Sequence, residues 1–196
     1  SLYLKSIAVR DKMRIRLPQG DRGSLSVFYR GENMRESQAS KIVFRLGGDI
    51  LKSRGMALEK GFRQHGTVSV YEHSLRVAVM CVMIAALLPF RTDLTSLVRG
   101  ALLHDYFLYD WHSRDRSHRF HGFIHAKRAF QNANRDFTLN RVEKNMILSH
   151  MFPLGPLPES REAWLISLAD KLCAISEFCC FRIALARRHK VVISYG

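Results

Sequence analysis

The chain has 196 residues, of which 47% are apolar and 24% are charged, a composition typical of a globular protein and not of a fibrous or disordered one. A domain of this size buries about two-thirds of the surface exposed by its unfolded chain, so its core requires neither disulfides nor a structural metal. The net charge of +14 leaves two interpretations open. One is attraction to phosphate-rich ligands or nucleic acid, and the other is a basic surface without a specific partner.

Sequence features that report on cellular location point to the cytoplasm. The 4 cysteines form no CxxC pair and no regular disulfide framework, which fits a reducing compartment. The longest apolar run, residues 77–90, is shorter than the roughly 20 residues that a membrane-spanning helix needs. The first residues lack the apolar segment and cleavage site of a signal peptide. We therefore expect a cytoplasmic protein with no membrane partner.

The chain divides into a short extension and a helical domain. Residues 1–35 alternate apolar and basic side chains in places and contain Pro18, which predicts a hairpin or an irregular extension. The pattern is helical over residues 36–196, with the motif-bearing core at about 65–180, and no internal repeat or linker indicates a second domain.

Helical periodicity dominates the second part of the chain. Ser69 and Glu72 have the spacing of a capping box and predict the start of a helix that enters an apolar run. Further helices are predicted over about 92–105, 126–133, 141–151 and from 161 into the 180s, with a polar loop over 111–124. No strand is predicted between residues 65 and 188. The predicted fold class is all-α.

Histidines and aspartates fall on the apolar faces of these predicted helices. His73 begins the apolar face of one helix, and Asp105, His150 and Asp170 each follow apolar residues at three or four positions. A carboxylate turned toward a core is costly unless it is paired or bound to a cation. Imidazoles combined with carboxylates suit Mn, Fe, Co, Ni or Zn, with Mg as a further option. The sequence therefore predicts a divalent metal site.

The order of these residues resembles a known family. His73 lies in Glu-His-Ser-Leu-Arg-Val-Ala, His104 and Asp105 end Ala-Leu-Leu-His-Asp, and Asp170 lies in Ser-Leu-Ala-Asp-Lys-Leu. This order resembles the HD superfamily of metal-dependent phosphohydrolases over about residues 65–180. The resemblance implies an HD-like helical bundle in which these four residues bind one metal, and Asp105 is able to bridge to a second.

Two further histidines match the extra ligands of two-metal members of the superfamily. His125 and His150 match by order and helical context, as in bacterial HD hydrolases that cleave dinucleoside polyphosphates. His121 competes with His125, because a separation of four residues places both on one helix face. The resemblance implies catalytic roles for Asp105, His125 and His150. With one metal, the two histidines instead bind phosphate or transfer a proton to the leaving group.

The sequence departs from the superfamily after the His-Asp pair. Many members continue as His-Asp-Ile-Gly-Lys, whereas Tyr106 and Phe107 follow the pair here, so that Lys is absent. Other cations would have to contact the phosphate. The candidates are Arg119, Lys127, Arg128 and Lys171.

The resulting functional hypothesis is a phosphohydrolase that acts on a nucleotide, a dinucleoside polyphosphate or a related small phosphate compound, with residues 111–124 as a lid. Two alternatives remain: an HD-type di-iron oxygenase, and a regulatory or nucleic-acid-binding module with little turnover. A nucleic-acid partner is not favoured, because a site enclosed by helices would not admit a duplex. The sequence leaves the oligomeric state open.

Overall fold

A computed structural model describes residues 34–65, 68–109 and 121–193, without the side chains of residues 65, 121–123 and 181–193. The helices are α1 (Glu36–Leu46), α2 (Gly48–Leu51), α3 (Arg54–Glu59), α4 (Val70–Leu87), α5 (Leu94–Leu103), α6 (His121–Asp136), α7 (Arg141–Ser149) and α8 (Arg161–Ile193). These helices form one bundle, so the all-α prediction is confirmed. The predicted extension lies outside the described residues except for its last two positions, Met34 and Arg35.

A two-stranded hairpin precedes α4, and its second strand corrects the prediction of no strand beyond residue 65. Strand β1 (Arg63–His65) pairs antiparallel with β2 (Val68–Ser69), with a register irregularity between Arg63 and His65. The amide of Val70 also donates to the carbonyl of Phe62. Strands of two and three residues carry too little alternation for periodicity to detect.

Helix α4 is the centre of the bundle and packs against α1, α5 and α8. Its start confirms the predicted capping box: the Ser69 hydroxyl accepts from the Glu72 amide at 3.2 Å, and the Glu72 carboxylate accepts from the Ser69 amide at 3.0 Å. These two bonds satisfy amides that have no partner inside the helix. The cap fixes where the helix begins and hence the face on which His73 lies.

Helix α5 lies close to α7 because Gly100 has no side chain. A Cβ at Gly100 would lie 2.6 Å from the Met146 sulfur. Both helices have N-caps: Asp93 accepts from two amides of α5, and Asn140 accepts from the Glu143 amide in α7. The close approach brings the C-terminal ends of the two helices together, and His104 and His150 directly follow these ends.

The observed helices differ in length from the predicted ones. Helix α6 begins at His121, inside the predicted loop, and ends at Asp136. Helix α7 ends at Ser149 and not near residue 151. The remaining loop residues, 111–120, lie outside the described part of the chain. Helix ends depend on tertiary contacts as well as on local sequence, which explains differences of a few residues.

One described helix, α4, is long and apolar enough to cross a membrane, since its 18-residue window has a mean hydropathy of 1.5. However, 56% of that window is buried inside the protein. Burial on several sides explains why its residues are apolar almost all round. The longest apolar segment of the described chain is therefore the core helix that the sequence predicted.

Candidate metal centre

His104 and His150 lie at equivalent positions, immediately after the last residues of α5 and α7. The Nδ1 atom of His104 donates to the Ala101 carbonyl at 2.8 Å, and that of His150 donates to the Ile147 carbonyl at 2.8 Å. A carbonyl oxygen can only accept, so each Nδ1 carries the proton. In its neutral form, each ring is therefore held in the tautomer whose Nε2 lone pair can bind a cation.

His73 lies between two carboxylates of α8. Its Nε2 contacts Asp170 Oδ1 at 3.0 Å, and its Nδ1 contacts Glu177 Oε2 at 3.0 Å. Arg76 holds the other oxygen of Glu177 at 3.2 Å. Glu177 thus orients the ring so that Nε2 points toward Asp170 and the centre.

The carboxylate of Asp105 lies at the middle of the cluster and is 2% exposed. Its Oδ2 is 3.5 Å from His104 Nε2. Its Oδ1 is 3.4 Å from His125 Nε2 and 3.5 Å from His150 Nε2. His104 Nε2 is also 3.7 Å from Asp170 Oδ1, which links the two halves. One carboxylate therefore faces two groups of potential ligands with its two oxygens.

The site combines buried acids and bases that shift each other's pKa values. Burial lowers the pKa of His73, but hydrogen bonds with Asp170 and Glu177 outweigh it and raise that pKa to about 10. Burial raises the pKa of Asp105, but the neighbouring His104, His150 and His125 hold it well below its usual range. In the metal-free protein, Asp105 is therefore ionised and His73 is protonated near neutral pH.

The residues present fit a divalent metal. His104 Nε2 and Asp105 Oδ1 are buried and have no hydrogen-bond partner among the described residues. Two groups have ligand atoms within 4.8 Å of one another: His73, His104 and Asp170, and His104, Asp105 and His150. A buried imidazole lone pair and a buried carboxylate oxygen without partners are costly unless a cation binds them. The structure thus brings together all six sequence-predicted ligands: His73, His104, Asp105, His125, His150 and Asp170.

The choice between His121 and His125 depends on α6. His125 is 4% exposed, and its Nε2 lies 2.9 Å from His150 Nε2. The side chain of His121 lies outside the described residues. Asn132 anchors the same helix by donating to the carbonyls of Tyr106 and Phe107, directly after the His-Asp pair. Among the described residues, His125 therefore reaches the cluster, where it contacts His150 and Asp105.

The predicted phosphate-binding cations lie in different surroundings. Arg128 lies one helical turn after His125, and its guanidinium carbon is 4.8 Å from the ring centroid of Tyr109. Lys127 is exposed and lines an apolar groove of about 330 Å³ formed with α7 and the segment after it. Arg119 lies outside the described residues. Arg128 is thus the described candidate with a defined position near His125.

Lys171 links the end of α7 to α8. Its amino group donates to the His150 carbonyl at 3.2 Å, the Ser167 carbonyl at 3.0 Å and the Ser167 hydroxyl at 2.8 Å. An ammonium group has three donors, and all three are used. Lys171 therefore holds the end of α7 on α8 in this arrangement, and its phosphate contact stays a prediction.

Three buried residues near the centre were not singled out from the sequence. Gln64 donates to Asp105, Glu177 orients His73, and Glu59 is fully buried, with Asp105 contributing to its raised pKa. Glu177 follows Asp170 by seven positions, two helical turns on the same face, and this spacing was a usable signal. Gln64 and Glu59 precede the motifs in a region without clear periodicity, and no sequence signal marked them.

The comparison with protein families agrees with this geometry. The family model of the HD domain matches residues 70–175, which is more than half of the chain. The chain belongs to the HD domain family. The match begins with α4 and includes the His-Asp pair and Asp170. HD domains bind divalent metals and are typically metal-dependent phosphohydrolases. No curated protein and no solved structure matches the chain significantly.

Proposed function

We propose that this HD domain hydrolyses a nucleotide or another small phosphate ester or anhydride with the help of two divalent metal ions. The observation that carries the proposal is the position of Asp105, whose two oxygens face His104 on one side and the His125 and His150 pair on the other. A carboxylate shared between two ligand groups is the arrangement that bridges paired metals in hydrolytic sites.

In this proposal, His73, His104 and Asp170 hold one ion, and His125 and His150 hold the other. Bound there, the ions would lower the pKa of a water molecule toward neutrality and neutralise charge on the phosphoryl oxygens. The chain itself supplies orientation: backbone carbonyls fix the rings of His104 and His150, and Glu177 fixes that of His73. Fixed ligands avoid reorganisation during the reaction.

The basic charge of the chain supports an anionic substrate, and Arg128 lies one helical turn after His125 with its guanidinium over the ring of Tyr109. A guanidinium donates two parallel hydrogen bonds to phosphate. The His and Asp ligands are almost fully buried among helices, which favours a small molecule over duplex nucleic acid. These observations support a small phosphate compound as the substrate. The screen described next identifies the metal.

The test is a hydrolysis screen of the metal-free protein reloaded with Mn, Fe, Co, Ni, Zn or Mg. The panel contains mononucleotides, cyclic nucleotides, dinucleoside polyphosphates and short oligonucleotides, and oxygen consumption is followed in parallel. We expect hydrolysis of a small nucleotide that Asp105→Asn abolishes and Asp49→Asn preserves, because Asp49 is 58% exposed and pairs with Arg99 outside the centre. Oxygen consumption without phosphate release would favour the oxygenase, and turnover of oligonucleotides alone would contradict the small-molecule substrate.

A further inference from the structure

We propose that Gln64 is a positioning residue that orients the carboxylate of Asp105 for metal binding; this inference rests on the metal centre of the proposed function. The Nε2 atom of Gln64 donates to Asp105 Oδ2 at 2.5 Å, across 41 positions of the chain. Gln64 is 8% exposed and Asp105 is 2% exposed, so water does not compete freely for this bond. It is the shortest described contact of the Asp105 carboxylate.

The hairpin explains how Gln64 reaches the centre. Strand β1 contacts both α4 and α8, the helices that carry His73 and Asp170. Pairing with β2 holds the backbone of β1, and the capped start of α4 follows directly. The amide is therefore presented from a backbone segment that is tied to the same two helices as the ligands.

The bond selects one orientation of the carboxylate. Rotation about the last side-chain bond of aspartate has only a broad preference, so an unsupported carboxylate would sample many angles. With Oδ2 held by Gln64, Oδ1 lies 3.4 Å from His125 Nε2 and 3.5 Å from His150 Nε2. The Gln64 amide holds the carboxylate in this orientation without a positive charge, whereas a lysine or arginine at the same place would repel a divalent cation.

The other end of the amide argues against a role in stability alone. Gln64 Oε1 is buried and has no hydrogen-bond partner among the described residues. The amide cannot be reversed to relieve this, because Oε1 would then face a carboxylate that only accepts. An apolar side chain of similar size would avoid this unsatisfied oxygen. The arrangement is therefore explained by the orientation of Asp105.

The test compares Gln64→Met with Gln131→Met in the full chain. Methionine keeps the length of the side chain and removes the donor, and Gln131 is exposed on α6. Metal-free proteins are titrated with Co²⁺ without substrate, and the affinity, the visible absorption spectrum of bound Co²⁺ and the Tm of the metal-free form are measured. We expect Gln64→Met to lose Co²⁺ affinity by about 10–100-fold and to alter the spectrum, since partners of ligands typically contribute this much. Gln131→Met should match the wild type in both.

The outcomes separate this inference from the proposed function. Wild-type affinity and spectrum in Gln64→Met would overturn the positioning role, as would a lower Tm with unchanged affinity, which would mark a structural residue. If the wild type binds Co²⁺ and Gln64→Met binds it more weakly, but neither hydrolyses any phosphate compound, the proposed function fails and the positioning role stands. Failure of the wild type to bind metal would overturn both.

Discussion

The Nε2 atoms of His125 and His150 lie 2.9 Å apart, although the residues belong to different segments separated by 25 positions. The Nδ1 atom of His150 donates to a backbone carbonyl, so Nε2 is the acceptor nitrogen of the neutral ring. The contact is an N–H···N hydrogen bond when His125 carries its proton on Nε2, and a cation bound by both Nε2 atoms would replace that proton. Both Nε2 atoms also lie within 3.5 Å of Asp105 Oδ1, and this is the group that we propose holds the second ion.

The first prediction concerns metal stoichiometry. Because His125 and His150 are proposed to hold the second ion, His125→Ala and His150→Ala should reduce the bound metal from about two ions per chain to about one. Elemental analysis after reloading and dialysis measures this. His121→Ala is the matched control and should keep two ions. If His121→Ala loses an ion and His125→Ala does not, the assignment of the α6 ligand is reversed.

The second prediction concerns protons. The pKa of His73 is raised to about 10 by its contacts with Asp170 and Glu177, so a metal that binds Nε2 at pH 7 must displace a proton. Metal affinity should therefore increase with pH until the pH approaches that pKa. In the metal-free protein, the contacts of protonated His73 with the two carboxylates also stabilise the fold. This contribution is fully present below the ordinary histidine pKa of 6.5 and is lost as the pH rises through about 10.

Calorimetric titration in buffers of different ionisation enthalpy measures the released protons directly. About one proton or more per chain is expected at pH 7. Metal binding whose heat is the same in all buffers would show that no proton leaves and would contradict the protonated state of His73.

The third prediction concerns Glu177, which accepts the Nδ1 proton of His73. Glu177→Met removes this acceptor, so the ring loses its orientation and metal affinity should fall by about 10-fold or more. The pKa of His73 should also fall, which reduces the protons released on metal binding. Glu159→Met is the control, because Glu159 is 66% exposed and its carboxylate pairs with the exposed Arg141. Equal affinities for the two variants would exclude an orienting role.

The fourth prediction separates two neighbouring cations. Arg128→Ala should raise the KM for the phosphate substrate about 10-fold, because a guanidinium near His125 can bind phosphate with two hydrogen bonds. Lys127→Ala should leave KM unchanged, since Lys127 lies on a groove between α6 and the segment after α7. Steady-state kinetics of both variants are the measurement. A larger effect of Lys127→Ala would move the phosphate site to that groove.

The fifth prediction concerns the buried carboxyl of Glu59. Burial, with a smaller contribution from Asp105, raises its pKa well above the usual value, and neither oxygen has a hydrogen-bond partner among the described residues. Because its pKa is raised in the folded state, ionisation of Glu59 destabilises the fold. This destabilisation grows as the pH rises and the carboxyl loses its proton. Glu59→Met should therefore raise the free energy of unfolding of the metal-free protein by about 1–3 kcal/mol at pH 8, and by less at pH 5.

Chemical denaturation at both pH values tests this prediction, and Glu159→Met at an exposed position should change stability by less than about 0.5 kcal/mol. A loss of stability in Glu59→Met at pH 8 would show that the carboxyl has a stabilising partner.

The sequence by itself determined the all-α class, the start of α4 and the residues that match the HD motifs. The capping box of Ser69 and Glu72 works within one turn of chain, and apolar spacing places His73 and Asp170 on inward faces. Such signals connect residues three or four positions apart, so they can be read without knowing the fold. They also limited the prediction: the ends of α6 and α7 depend on tertiary contacts and were misplaced by a few residues.

Only the tertiary structure decided which distant groups meet. Gln64 reaches Asp105 across 41 positions, and His73 reaches Glu177 across 104. Lys171, expected at the substrate, donates to carbonyls of Ser167 and His150 because the end of α7 packs on α8. These contacts depend on the relative placement of helices, which is set by packing of the whole core. No local pattern records that placement: only the two-turn spacing from Asp170 marked Glu177, and no pattern marked Gln64.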